Sequence, residues 1–92
     1  MSTRPMVLAA DIGGTNSRFA LYDGTLREVK TWPTRETRTL SEALERLGPE
    51  MLQGIEGACI AVAGPVLGDS ARLTNTDWSA RASALSVPTQ LV

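Results

Sequence analysis

A chain of 92 residues with 42% hydrophobic side chains, 21% charged side chains and a net charge of −1 is typical of one soluble domain, and it excludes a disordered or membrane-spanning protein. One cysteine and no histidine exclude a disulfide framework and a zinc site. The basic residues form no stripe that could follow a nucleic acid, and the apolar run before Asp11 is too short for a signal peptide or a membrane helix. We therefore expect a cytoplasmic protein that binds neither nucleic acid nor membrane.

The first third of the chain predicts three strands joined as a meander. Residues 6–12 form a short apolar run, and its length favours a buried strand over a helix. Polar and apolar residues alternate over residues 17–22, which predicts a second strand, and Asp23-Gly24 is a hairpin signal. Residues 26–32 are more polar and precede Pro33, as is typical of a strand at a sheet edge.

The clearest helix begins after Thr39, where the period of the apolar residues changes to that of a helix. Thr39 and Glu42 form a capping-box pattern at its start. Gly48-Pro49 should end or kink the helix, with Gly48 in the left-handed conformation and Pro49 unable to continue the backbone bonding. The apolar stripe consists of Leu40, Ala43, Leu44, Leu47 and Met51.

Residues 58–63 are small and branched apolar residues without alternation, which predicts a strand covered on both faces. Cys59 is then expected to be a core residue without a redox role. Gly64-Pro65 closes this strand, and another short strand should follow within residues 70–75.

The last part of the chain predicts a second helix and then an extended segment. Asp77 or Ser79 could cap a helix that runs through Leu85, and Pro88 would end it before the extended residues 89–92. The resulting order is βββαββαβ. A meander followed by strands with helical crossovers predicts the α/β class, with a mixed β-sheet and flanking helices.

The stretch "DIGGTN" carries the clearest chemistry. Glycines permit positive φ and close approach, so the amides of Gly13, Gly14 and Thr15 could converge on an anion, with the Thr15 hydroxyl as a further donor. Asp11, at the end of a buried strand, would then face a magnesium ion through water. The alternative is a tight hairpin in which Asp11 accepts hydrogen bonds from turn amides, and the motif alone does not decide between the two.

A second cluster, "AVAGPVLGDSARLTNTDW", is explained residue by residue as a glycine-proline turn, a hairpin and a buried tryptophan. Together, however, "LAADIGGTNSRFALYD" and "CIAVAGPVLGDSARLTNTDW" resemble the N-terminal part of bacterial glucokinases. These enzymes belong to the hexokinase, actin and Hsp70 fold group. The resemblance therefore implies the N-terminal part of a ribonuclease-H-like, or actin-like ATPase, domain.

The resemblance implies phosphorylation of the glucose 6-hydroxyl by ATP with Mg²⁺ in a two-domain protein, of which residues 1–92 would be an incomplete N-terminal small domain. Its first phosphate-binding segment maps onto Ala10, Asp11, Ile12, Gly13, Gly14, Thr15 and Asn16, and many relatives have glycine in place of Ala10. Asp11 would be the metal-facing residue. Asn75 is a candidate for the sugar cleft, against the alternative of a turn asparagine bonded to its own backbone.

The family's catalytic base is an aspartate in an N-D-F segment after the strand that begins here as "TQLV", so no catalytic residue is expected within this chain. One alternative is therefore an isolated, non-catalytic folding module. Another sugar kinase of the fold group is a second alternative. A sugar-sensing repressor is a third, but it would need a helix-turn-helix before the motif, and ten residues cannot hold one. An exposed edge at "TQLV" also predicts self-association into a homo-oligomer.

Overall fold

The computed structural model describes residues 5–74 and 76–92, and these form a mixed α/β structure. Within those ranges a five-stranded sheet has the order β3-β2-β1-β4-β8 and a three-stranded sheet has the order β5-β6-β7. The strands are β1 (Val7–Ile12), β2 (Asn16–Tyr22), β3 (Leu26–Pro33), β4 (Gly57–Val62), β5 (Val66–Leu67), β6 (Ser70–Arg72), β7 (Ser79–Arg81) and β8 (Thr89–Leu91). The helices are α1 (Leu40–Leu47) and α2 (Pro49–Leu52), and single 3₁₀ turns lie at Thr34–Glu36 and Ala82–Ala84.

The predicted meander is confirmed. β1 and β2 pair antiparallel, as do β2 and β3, so that β3 is an edge strand of the sheet. β4 then pairs with β1 in parallel, and β8 pairs with β4 in parallel at the opposite edge. The mixed sheet therefore combines a local antiparallel half with a parallel half that requires crossovers.

The predicted helix α1 is confirmed together with its cap. The Thr39 side chain accepts a hydrogen bond from the Glu42 amide at 3.1 Å, while the Glu42 carboxylate accepts from the Arg38 amide. The helix ends at Gly48, whose φ of +90° is one that side-chain-bearing residues rarely adopt, and Pro49 begins the short helix α2. The apolar stripe of α1 packs into the main core, and its buried residues are Leu40, Ala43, Leu44 and Leu47.

The prediction that β4 is covered on both faces is wrong. Burial alternates along the strand, so that Ala58, Ile60 and Val62 are buried while Cys59 is exposed and is not a core residue. The core cluster lies on the face that carries α1, which accounts for the alternation. Small side chains without a period of two can therefore still belong to a strand with only one buried face.

The predicted helix from Asp77 or Ser79 to Leu85 is also wrong. Ser79–Arg81 is strand β7, which pairs antiparallel with β6, and the Ser79 amide donates to the Arg38 carbonyl. Only the single 3₁₀ turn Ala82–Ala84 follows before the irregular residues 85–88, which lead into β8. Tertiary pairing has thus overridden a weak local helix pattern. In residues 5–74 and 76–92, no helix is long and apolar enough to span a lipid bilayer.

Candidate phosphate-binding site

The candidate site lies at the edge of the main sheet where the parallel strands end. Residues 13–15 join β1 to β2 at this edge. The Ala63 amide, just after β4, donates to the Ile12 carbonyl at 2.9 Å. The Val62 amide donates in turn to the carbonyl of Val92, just after β8. In open α/β sheets, ligands bind outside the carboxyl ends of parallel strands, and this loop occupies that position.

Residues 13–15 offer two backbone donors, one fewer than the sequence predicts. The Gly13 amide donates to the Asn16 carbonyl at 2.9 Å, because this bond closes the turn between β1 and β2. Across the described ranges 5–74 and 76–92, neither Gly14 nor Thr15 donates its amide to any backbone carbonyl outside the strand ladders. These two amides, with the exposed Thr15 side chain beside them, can therefore bind an anion.

The expectation that glycine provides a positive φ in this loop is wrong. Both Gly13 and Gly14 have φ outside the positive region. A Cβ on Gly14 would meet no atom within 4 Å, whereas a Cβ on Gly13 would lie 3.3 Å from the Asn16 carbonyl oxygen. The open volume at Gly14 fits close approach of a phosphate, and the fold itself places no demand on glycine there.

Asp11 lies near the end of β1 and is exposed, although its neighbours in sequence are buried. No side-chain hydrogen bond within residues 5–74 and 76–92 involves its carboxylate, so the turn amides do not occupy it. Within the same ranges there is no group of three or more acidic, histidine or cysteine side chains that could hold a metal alone. The carboxylate therefore fits a role as one ligand, direct or through water, of a cation that is held mainly by phosphate oxygens.

The other residues of the predicted segment contribute differently. Ala10 and Ile12 are buried in the core, so only their backbone can face a ligand. Asn16 is exposed, and its carbonyl is used by the turn. Arg18, which the sequence argument did not single out, is exposed and lies directly opposite Asp11 in the β1–β2 register. Pairing the predicted strands β1 and β2 in register would have identified Arg18 as the residue opposite Asp11.

The second sequence cluster forms a hollow of about 590 Å³ beside the same sheet edge, with Pro65, Arg72, Thr74 and Asp77 among its lining residues. Asn75 lies outside the described residues, although Thr74 and Thr76 on either side of it line the hollow. Trp32 and Trp78 are buried, as expected of packing residues.

Gly64 lies between Ala63, whose amide binds the Ile12 carbonyl, and Pro65, which lines the hollow. A Cβ on this glycine would lie only 1.9 Å from the Arg72 carbonyl oxygen. The end of β4 and the end of β6 therefore pass each other at backbone contact, which a side chain would prevent. The sequence argument treated Gly64-Pro65 as a turn and missed this crossing.

Comparisons with known proteins bear on the family of this chain. The glucokinase family model matches residues 8–91. The bifunctional protein glk of Burkholderia thailandensis is 43% identical over 75 residues, which cover 78% of this chain and 12% of that protein. The glucokinase of Saccharophagus degradans is 40% identical over 81 residues, which cover 77% of this chain and 24% of that protein. The chain thus spans a quarter or less of the length of these curated relatives.

Solved structures show the same fold. A glucokinase from an Antarctic psychrotroph superposes with a TM-score of 0.74 at 30% identity, over 95% of this chain and 31% of that one. A glucokinase from Balamuthia mandrillaris, solved in complex with glucose, superposes with a TM-score of 0.75 at 23% identity, over 97% of this chain and 29% of that one. The fold and the loop define the class, which is the actin-like ATPase fold. Within that class, the chain belongs to the glucokinase family.

Proposed function

We propose that residues 1–92 are the incomplete N-terminal small domain of a two-domain glucokinase. The full-length protein would transfer the γ-phosphate of ATP to the 6-hydroxyl of glucose in the cytoplasm. The observation that carries the proposal is the loop of residues 13–15, with its two available amides at the carboxyl edge of the parallel strands, in a chain of the glucokinase family.

Within this chain, the proposed role is to hold the phosphates of ATP. The Gly14 and Thr15 amides would bind phosphate oxygens, and the missing Gly14 side chain leaves room for close approach. Asp11 would orient the magnesium ion through water. Bound Mg²⁺ would supply charge neutralisation for the transferred phosphoryl group. Ala10, Ile12 and Asn16 would support the segment through their backbone.

The catalytic base would come from the polypeptide beyond Val92, where the family has an N-D-F segment. This proposal is supported by the position of β8, since Val92 is hydrogen-bonded to Val62 and Ile60 of β4. β4 is in turn the direct neighbour of β1. A residue that follows β8 would therefore leave the sheet at the same edge as the phosphate loop.

Glucose would bind across the edge from the phosphate loop, and the hollow between Pro65 and Asp77 is the part of this chain that could face it. Asn75 remains the proposed sugar contact from its position in the sequence. The hollow is supported as a sugar site by the four polar residues among its lining, which suit a polyhydroxylated ligand and are Arg72, Thr74, Thr76 and Asp77.

The test is an assay of the purified full-length protein with ATP, Mg²⁺ and a panel of hexoses, in which ADP and sugar phosphate are both measured. Glucose 6-phosphate formation with glucose preferred over its isomers would support the proposal. Phosphorylation of a different sugar would make the chain part of another sugar kinase, and the absence of any turnover would refute catalysis.

Gly14→Val in the full-length protein is expected to raise the KM for ATP by about tenfold or more, because the side chain would fill the space that a phosphate needs. The melting temperature of the nucleotide-free protein should stay within about 2 °C, since Gly14 does not have a positive φ and a Cβ there meets no atom within 4 Å. A lowered melting temperature with an unchanged KM for ATP would instead assign Gly14 to the turn alone.

The 92-residue chain alone is expected to be inactive and to self-associate. It carries no predicted catalytic base, and β8 is an edge strand beside Val92, whose side chain is 52% exposed. Light scattering over a concentration series would measure the association. Val92→Lys is the matched variant, because a lysine at a strand edge opposes pairing. A wild-type monomer at high concentration would contradict the association, and glucose-dependent ADP formation would contradict the inactivity.

A further inference from the structure

Thr34 binds the phosphate loop at both of its ends. This residue begins the 3₁₀ turn after β3 and is only 1% exposed. Its amide donates to the Thr15 carbonyl at 2.9 Å, and its hydroxyl donates to the Gly13 carbonyl at 2.7 Å. The hydroxyl of Ser17, which is fully buried, lies 2.8 Å from the Thr34 hydroxyl.

The directions of these hydrogen bonds follow from the available protons. A threonine hydroxyl has one proton, and here it is donated to the Gly13 carbonyl. The Ser17 hydroxyl must therefore be the donor to Thr34 Oγ1. The result is a relay from Ser17 through Thr34 to Gly13, and such chains strengthen each bond by polarisation.

Fixing the Gly13 carbonyl also fixes the Gly14 amide. The two groups belong to one planar trans peptide, in which C=O and N–H point in opposite directions. Because the Gly13 carbonyl points inward to Thr34, the Gly14 N–H points away from Thr34. In the same way, the Thr34 amide binds the Thr15 carbonyl and fixes the peptide plane between Thr15 and Asn16.

We propose that Thr34, supported by Ser17, is a positioning residue that aims the Gly14 amide at the phosphate of the nucleotide. The proposal rests on the function proposed above, and it adds two residues outside the glycine motif to the phosphate-binding apparatus. Neither side chain would touch the nucleotide, because both are buried behind the loop.

The chain offers a matched control in Thr37. This threonine is also buried, lies three residues further along, and accepts a hydrogen bond from Trp32 Nε1 at 3.3 Å. Its hydroxyl has no hydrogen bond to residues 13–15 in the described part of the chain. Thr37→Val therefore removes a comparable buried hydroxyl without releasing the loop.

The experiment compares Thr34→Val, Thr34→Ser and Thr37→Val in the full-length protein. Thr34→Val should raise the KM for ATP about three- to tenfold, the effect of losing one hydrogen bond, with the KM for glucose unchanged. Thr34→Ser should restore the wild-type value. Thr37→Val should lower the melting temperature with the KM for ATP unchanged. If Thr34→Val and Thr37→Val lower stability alike and neither alters the KM for ATP, Thr34 has a structural role only.

A second readout does not depend on turnover. Hydrogen exchange of the Gly13 amide, which is bonded to Asn16, should be faster in nucleotide-free Thr34→Val than in wild type or Thr37→Val. If the wild-type protein phosphorylates no sugar, the proposed function fails, and the exchange rate still decides whether Thr34 orders the loop. If Thr34→Val does not fold, the exchange rate of the Gly13 amide is compared between Ser17→Ala and wild type instead. An exchange rate equal to that of wild type, in whichever of the two variants folds, would overturn the proposal.

Discussion

Replacing Asp11 with alanine in the full-length protein is expected to lower kcat by about 30- to 1000-fold, which corresponds to roughly 2 to 4 kcal/mol in the barrier. Phosphoryl transfer depends on positioning and on neutralisation of charge, so a misplaced magnesium ion slows the chemical step. The KM for glucose should stay within about twofold, because the hollow that we propose as the sugar site is lined by other residues. The measurement is steady-state kinetics at saturating ATP over a range of Mg²⁺ concentrations.

Asp23→Ala is the matched control for this variant. Asp23 also lies at the end of a hairpin strand, but it is at the opposite end of β2 and pairs with Arg27. Its loss should leave kcat within about twofold. If Asp11→Ala kept kcat within about tenfold of wild type, equivalent to roughly 1.4 kcal/mol, the carboxylate would not be orienting the metal ion.

Gly64→Ala is expected to destabilise the full-length protein by about 3 kcal/mol, at the upper end of the usual cost of overpacking. The added Cβ would sit 1.9 Å from a backbone oxygen of Arg72, and neither backbone can rotate away as a side chain could. β4 and β6 must therefore separate. The melting temperature should fall by a few degrees, as measured by calorimetry of the nucleotide-free protein.

Gly14→Ala is the comparison for Gly64→Ala, because neither glycine has a positive φ and only one of them is crowded. The melting temperature of Gly14→Ala should match that of wild type. Equal melting temperatures for Gly64→Ala and wild type would mean that the two strands can separate at little cost. In that case the small size of Gly64 would not be needed to hold the backbones of residues 64 and 72 in contact.

Strong local signals predicted most of the elements. Asp23-Gly24 and the alternation before it predicted the hairpin of β2 and β3, and Thr39 with the apolar stripe predicted α1. The apolar run over residues 6–12 placed Asp11 near the end of β1 and Gly14 just after it, which is where the candidate site lies. These features depend on residues close together in sequence, which is why pattern alone could find them.

The features that sequence could not predict depend on distant partners. Ser79 begins a strand because Arg72 pairs with it, and no local pattern of residues 77–85 contains that information. Cys59 is exposed because α1 covers only one face of the sheet. Likewise, Thr34 is 21 residues from Gly13 in sequence, so their hydrogen bond can be identified only once the strands have been paired.

The strand order also has a consequence during synthesis of the protein. β1, β2 and β3 are complete once Pro33 has left the ribosome, and antiparallel hairpins form within microseconds. β4 is complete only at Val62, and at ordinary translation rates this takes roughly 1.5 to 6 s longer. For those seconds the turn of residues 13–15 already joins β1 to β2, while the edge of β1 that β4 will cover is open to incorrect pairing. The yield of correctly folded protein in the cell therefore depends on the arrival of β4 before another chain occupies that edge.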